Sequence, residues 1–162
     1  MRRPNPGITG ALCWLALPLV LLLAGDGSVS GQAKTSSDKV KASFKAEPAK
    51  PGADGQQTVT VTLEIDKGWH LYANPIGNDM LKESQTVVTV TGKTPPKYKV
   101  VYPEGKLVKD KDLGDYRIYE SKVDIKVTVN RADKEPVEVI VKLQACDERS
   151  CLAPGTVKLT VP

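Results

Sequence analysis

The chain has 162 residues, of which 23 are Lys or Arg and 19 are Asp or Glu, with a formal net charge of +4. This length allows one domain with a hydrophobic core. Nucleic acid is not favoured as a partner, because the basic residues alternate along predicted strands and form no patch.

The N-terminal segment has the features of a secretory signal peptide. Arg2 and Arg3 precede a 14-residue apolar run at positions 11–24. That run is too short to cross a membrane, so no stable membrane span is predicted, although an uncleaved anchor is the alternative. We therefore expect the protein in the periplasm or secreted from the cell.

The signal peptide and a flexible leader are predicted over residues 1–31, with cleavage between about 24 and 33. Small and polar residues continue to position 37, and the leader is expected to extend that far. The folded domain is predicted over residues 38–162.

After the leader, apolar residues recur at every second position, which is the spacing of a strand with one buried face. The predicted strands lie at about 39–46, 59–65, 85–91, 98–102, 116–119, 123–129, 136–144 and 156–161, with a short one near Trp69. Residues 106–115 are predicted to form a loop, and no helix is predicted. This pattern is typical of an all-β fold, an immunoglobulin-like antiparallel β-sandwich of about seven to eight strands.

The same alternation predicts the core. Six aliphatic residues are expected to be buried on facing sheets, namely Val59, Val61, Leu63, Val123, Ile125 and Val127.

Cys146 and Cys151 are the only cysteines after the N-terminal segment, and they lie between the last two predicted strands. In an oxidising compartment such a pair can form a disulfide. Parity places Cys146 on the face opposite Val141 and Ala145, so it is expected to point away from the core. An outward disulfide is accessible to another thiol, as exchange requires. The alternative is a plain stabilising bridge.

The cysteine segment Leu143-Gln-Ala-Cys-Asp-Glu-Arg-Ser-Cys-Leu-Ala-Pro154 resembles the active-site hairpin of the N-terminal periplasmic domain of DsbD, the membrane thiol:disulfide interchange protein. Gly68-Trp-His-Leu-Tyr72 is similar to the Gly-aromatic-aromatic-Leu-Tyr segment of that family. Tyr102-Pro-Glu-Gly105 and residues 114–119 resemble its next two landmarks, in the same order. The resemblance extends from about residue 39 to the end of the chain.

The resemblance implies an immunoglobulin-like fold and a thiol–disulfide oxidoreductase of the protein-disulfide reductase type. A thioredoxin-like redox protein would be the electron donor, and periplasmic disulfide-containing proteins would be the acceptors. Cys146 and Cys151 would carry the redox chemistry, with Cys151 bonding the partner. His70 and Tyr72 correspond to tyrosines beside the disulfide in the family.

Asp110, Asp112 and Leu113 fall on the family's cap loop, which shields the disulfide with an aromatic residue. This chain has no aromatic residue there, and Leu113 is the candidate substitute.

Metal and cofactor are both predicted to be absent. A metal site needs three or four ligands, and Met80 is the only soft ligand besides His70 and the cysteines. The alternative function is a secreted immunoglobulin-like binding or structural module with an inert disulfide, which the reduction potential would distinguish from an exchanging one.

Overall fold

The computed structural model of the chain describes residues 34–48, 50–131 and 135–162. The predicted signal peptide, its cleavage site and Cys13 lie outside these residues. None of the helices among the described residues has the length and apolar character needed to cross a membrane.

The described residues form eleven strands and two short 3-10 helices. The helices are Ser36–Lys39 and Asp79–Ser84. The strands are β1 Val40–Glu47, β2 Gln56–Ile65, β3 His70–Tyr72, β4 Val87–Gly92, β5 Lys97–Val101, β6 Lys106–Val108, β7 Tyr116–Glu120, β8 Lys122–Asn130, β9 Val137–Leu143, β10 Ala145–Cys146 and β11 Gly155–Val161.

Two antiparallel sheets contribute side chains to one hydrophobic core, which confirms the predicted all-β, immunoglobulin-like sandwich. The first sheet has the order β1-β2-β8-β5, and the second has the order β11-β9-β4. Their alternating residues give β2 and β9 one buried face each, because successive side chains of a strand point to opposite sides.

A third, smaller sheet has the order β10-β3-β7-β6 and accounts for the higher strand number. Three of its strands have only two or three residues each, too few for a period of two to be recognised. One of them, β6, lies where a loop was predicted.

The six predicted core residues are all buried, but their expected placement on facing sheets is wrong. They lie on β2 and β8, which are hydrogen-bonded neighbours, so that Val61 is paired with Ile125 and Leu63 with Val123. Alternation reveals which face of a strand is buried, but it does not reveal which strand lies beside it. The facing sheet contributes Val88, Val90, Val139, Val141, Leu143 and Val161.

The folded domain begins earlier than predicted. Thr35 forms a bridge with Ala153, and the side chain of Ser36 is fully buried. Residues 35–37 are therefore part of the domain and not of a leader. Small polar residues predict a linker only when they have no long-range partner, and here they have one.

Candidate redox site

Cys146 and Cys151 form a disulfide, as their position predicts. Cys146 ends β10, and Cys151 pairs back to it through an antiparallel bridge. Cys146 is only 2% exposed, whereas Cys151 is exposed. A thiol from solution can therefore approach the disulfide from the Cys151 side.

The expected orientation of Cys146 is correct in one respect and wrong in another. Its neighbour Ala145 belongs to the main core, and Cys146 lies on the opposite face of the small sheet, as parity predicts. Cys146 is nevertheless not accessible, because a second apolar cluster covers that face. The cluster comprises Tyr72, Ile76, Ile118 and Cys146, with Leu81, Val108 and Tyr116 packed against it. These residues come from distant parts of the chain, so parity along one strand could not show the cover.

A tight turn holds the two cysteines together. One carboxylate oxygen of Asp147, Oδ1, accepts hydrogen bonds from the backbone N–H groups of Arg149 at 2.8 Å and Ser150 at 2.7 Å. These bonds lower the pKa of Asp147 below its ordinary value, which favours the ionised form. The backbone N–H of Asp147 donates to the carbonyl of Ser150, and that of Leu152 donates to Ala145.

His70 lies directly opposite Cys146 in the register of β3 and β10. On its other side, it is paired with Glu120 of β7. Burial lowers the pKa of His70, while the negative charges of Glu120 and Asp147 oppose this effect. The resulting depression favours the neutral imidazole at neutral pH.

Tyr72 joins His70 to the apolar cluster. The His70 and Tyr72 rings meet edge to face with their centroids 5.9 Å apart, and Tyr72 meets Tyr116 in the same way at 5.8 Å. Burial raises the pKa of Tyr72, so its phenol stays protonated. The structure therefore brings His70 and Tyr72 to the disulfide.

The predicted cap loop is ordered by its own hydrogen bonds. Asp110 Oδ1 accepts from the backbone N–H groups of Asp112 and Leu113, both at 2.8 Å, and these bonds lower the pKa of Asp110. The Asn78 side-chain amide donates to the Leu113 carbonyl at 2.7 Å. The Leu113 side chain is 44% exposed.

The two residues that flank the cap loop, Val108 and Tyr116, pack against the cluster around Cys146. The loop is thus attached beside the disulfide at both ends. The shielding role of Asp110, Asp112 and Leu113 stays a prediction.

Ser36, which no sequence pattern indicated as part of the site, connects the two ends of the cysteine segment. Its hydroxyl donates to the Ala153 carbonyl at 2.7 Å and accepts from the Ala145 N–H at 2.8 Å. At Gly155, an added Cβ would clash with the backbone nitrogen of Ser37, so the close approach of this N-terminal segment requires glycine there. Nothing in the local sequence around Ser36 signals a partner more than 100 positions away.

An open cavity of about 600 Å³ lies beside the turn. Its lining includes Trp69, His70, Glu120, Lys122 and Glu148. Within the part of the chain that the structure describes, no three His, Cys, Asp or Glu side chains are grouped so as to hold a metal ion.

These features define a class of protein, a small β-sandwich domain with one disulfide held in a tight turn and one of its cysteines exposed. The family comparison is more specific. The family described as thiol:disulfide interchange protein DsbD, N-terminal, matches residues 37–162, and this chain belongs to that family. None of the curated protein sequences is similar enough to count as a match.

Solved structures with this fold include the N-terminal domain of DsbD from Neisseria meningitidis in its reduced form. It is 16% identical, with a TM-score of 0.54, over 79% of this chain and 88% of that one. A second structure is a complex of the DsbD and PilB N-terminal domains from the same organism. Its sequence identity is 15% and its TM-score is 0.51, over 74% of this chain and 81% of that one. The N-terminal periplasmic domain of ScsB from Proteus mirabilis is 12% identical, with a TM-score of 0.54, over 76% of this chain and 45% of that one.

Proposed function

We propose that this protein is an exported thiol–disulfide exchange domain that passes electrons from a thioredoxin-like donor to envelope proteins through Cys146 and Cys151. The observation that carries the proposal is the unequal exposure of the two cysteines in a member of the DsbD N-terminal family. An inert bridge needs no accessible sulfur, whereas exchange begins with the approach of a thiolate.

The geometry supports a defined order of events. A donor thiolate attacks Sγ of the exposed Cys151, the bond between the two cysteines breaks, and Cys146 takes the electron pair. A second donor thiol then displaces Cys151, which leaves the protein as a dithiol and the donor as a disulfide. The reverse sequence on an oxidised acceptor would return Cys146 and Cys151 to the disulfide. Each passage moves two electrons.

The proposed partners follow from the family. A DsbD N-terminal domain has been solved in complex with the PilB N-terminal domain, so domains of this type do form complexes with another protein. For this chain we propose a thioredoxin-like donor, disulfide-containing acceptors in the periplasm, and export by the predicted N-terminal signal.

The cap loop is proposed to limit access to the disulfide, with Leu113 taking the place of the family's aromatic residue. Its support is the attachment of the loop at Val108 and Tyr116. Leu113→Ala should then speed reduction by a small thiol, and Leu107→Ala is the matched control because Leu107 is similarly exposed. If both variants and the unsubstituted protein are reduced at equal rates, Leu113 does not limit access to the disulfide.

The test of the function is a redox titration of the purified domain in glutathione buffers, together with incubation of the oxidised form with reduced thioredoxin. An exchanging disulfide should have a potential above about −300 mV and should be reduced by thioredoxin, as alkylation and mass measurement would show. A potential well below that value, with no reduction by thioredoxin, would leave a secreted immunoglobulin-like module with an inert disulfide as the better description.

A further inference from the structure

We propose that His70 is the acid–base residue of this exchange, accepting the proton of Cys146 when Cys146 attacks and returning it when Cys146 leaves. This inference rests on the proposed function and adds to it a role for the one histidine of the chain.

The placement of His70 comes from strand register and from ring contacts. Directly opposed residues of an antiparallel pair share a face, with their Cβ atoms about 4.5–5.5 Å apart. His70 and Cys146 are such a pair. Tyr72 independently places them on the same face, since it packs in the cluster with Cys146 and also meets the His70 ring.

Cys146 needs a proton acceptor because of where it lies. Its side chain is 2% exposed and packs among Tyr72, Ile76 and Ile118. Apolar surroundings disfavour a thiolate, yet the thiolate is the nucleophile in disulfide exchange. A neighbouring base that takes the proton during the attack removes this obstacle.

The row of side chains across the small sheet has the order Cys146, His70, Glu120. In this row, the negative charge of Glu120 favours the imidazolium that forms when His70 takes the proton. Glu120 is also paired with Lys106 at 2.8 Å, which holds the carboxylate in position. The other charged or titratable groups around His70 are Tyr72, Asp147 and, along the cavity, Glu64, Asp66, Lys67, Lys122 and Glu148.

The proton and the electron pair move together when Cys146 attacks. Cys151 is joined to an acceptor sulfur as a mixed disulfide, and Cys146 carries its proton. That proton moves to a ring nitrogen of His70 while the sulfur of Cys146 forms a bond to Sγ of Cys151. The bond from Cys151 to the acceptor breaks, and the acceptor sulfur leaves with the electron pair and is protonated by the imidazolium or by water. In the reverse direction, His70 takes a proton from the solvent and passes it to Cys146 as Cys146 departs.

The experiment uses the reduced, untagged domain and 5,5′-dithiobis(2-nitrobenzoate) in a stopped-flow instrument. The first thionitrobenzoate released reports the attack by Cys151, and the second reports the attack by Cys146 on the mixed disulfide. His70→Gln should slow the second release about tenfold or more at neutral pH and leave the first unchanged. In His70→Gln, the rate of the second release should no longer depend on ionisation of an imidazole. It should vary with pH only as the thiol of Cys146 ionises.

Two further variants separate proton transfer from packing. His70→Tyr keeps an aromatic ring against Tyr72 but provides no base at neutral pH, so it should be as slow as His70→Gln. Lys126→Gln, which changes an exposed residue outside the lining of the cavity beside the turn, should leave both releases unchanged.

A His70→Tyr variant as fast as the unsubstituted protein, or an unchanged pH profile in His70→Gln, would overturn the acid–base role and leave the exchange function standing. Absence of the first release in the unsubstituted protein would overturn the exchange function and, with it, this inference.

Discussion

The hydroxyl of Ser36 donates a 2.7 Å hydrogen bond to the carbonyl oxygen of Ala153, 117 positions later in the chain. The same hydroxyl accepts from the backbone N–H of Ala145, which is itself fully buried. One side chain thus holds together the residues that enter and leave the cysteine turn.

Ser36→Ala should therefore destabilise the domain, because it leaves the buried N–H of Ala145 without its partner. Such a loss costs about 1–3 kcal/mol. The expected result is a lower midpoint of urea unfolding with an unchanged slope. Ser37→Ala, one residue further along and only partly buried, is the matched control and should change stability by less than about 0.5 kcal/mol. Equal effects of the two substitutions would show that the Ser36 contacts contribute little.

The core allows a second prediction. Leu63 and Ile125 have no exposed surface and lie on neighbouring strands. Truncation of either to Ala should cost about 2–5 kcal/mol, since it removes apolar contacts and leaves a cavity. Glu64→Ala, on the exposed face of the same strand, is the control, with an expected change within about 0.5 kcal/mol. Losses below about 1 kcal/mol at both Leu63 and Ile125 would contradict the packing described here.

How far the fold follows from the sequence depends on the length of each strand. In β2 and β8, alternation over about ten positions identified the buried face correctly, because the period of two is repeated several times. In β10, two residues carry no period, and its pairing with β3 depends on where the chain departs from β9 at Gln144. The small sheet that carries the site could therefore not be predicted from the alternation of apolar residues.

The reactive residues of the site could be predicted from the sequence, but most of the residues that surround them could not. Cys146 and Cys151 could be paired because the chain has no other cysteine after its N-terminal segment. Two features could not be predicted, namely the apolar cluster that buries Cys146 and the hydrogen bond between Ser36 and Ala145. Both join residues that are distant in sequence, and local propensity contains no information about such contacts. The position of His70 was indicated only by the family resemblance.

The turn between the cysteines allows a prediction of pH dependence. Backbone hydrogen bonds hold the pKa of Asp147 in the folded protein below its ordinary value. A depressed pKa stabilises the fold above the ordinary pKa, and that contribution disappears as pH falls through the folded value, below about 4. The free energy of unfolding of the unsubstituted protein should therefore fall more steeply on acidification than that of Asp147→Asn, which keeps the Oδ1 acceptor but cannot ionise.

The measurement is urea unfolding at several pH values between about 2 and 7 for both proteins. Other carboxylates contribute equally to the two curves, so their difference isolates Asp147. Glu148→Gln is the control, because it leaves the two hydrogen bonds to Asp147 in place. Curves for Asp147→Asn and the unsubstituted protein that run parallel over the whole range would rule out this linkage.

The last prediction concerns which cysteine bonds the partner. Cys151 is exposed and Cys146 is 2% exposed, so Cys146→Ser should leave a reactive thiol and Cys151→Ser a hidden one. The probe is a thioredoxin-like protein whose resolving cysteine is replaced and whose attacking cysteine carries thionitrobenzoate. Cys146→Ser should capture this probe as a covalent complex at least about ten times faster than Cys151→Ser, because access limits exchange. In urea, where both thiols are exposed, the two variants should react at similar rates. Equal capture by the folded variants would withdraw the assignment to Cys151, and capture by neither, with a disulfide that also resists strong reducing buffers, would point to an inert bridge.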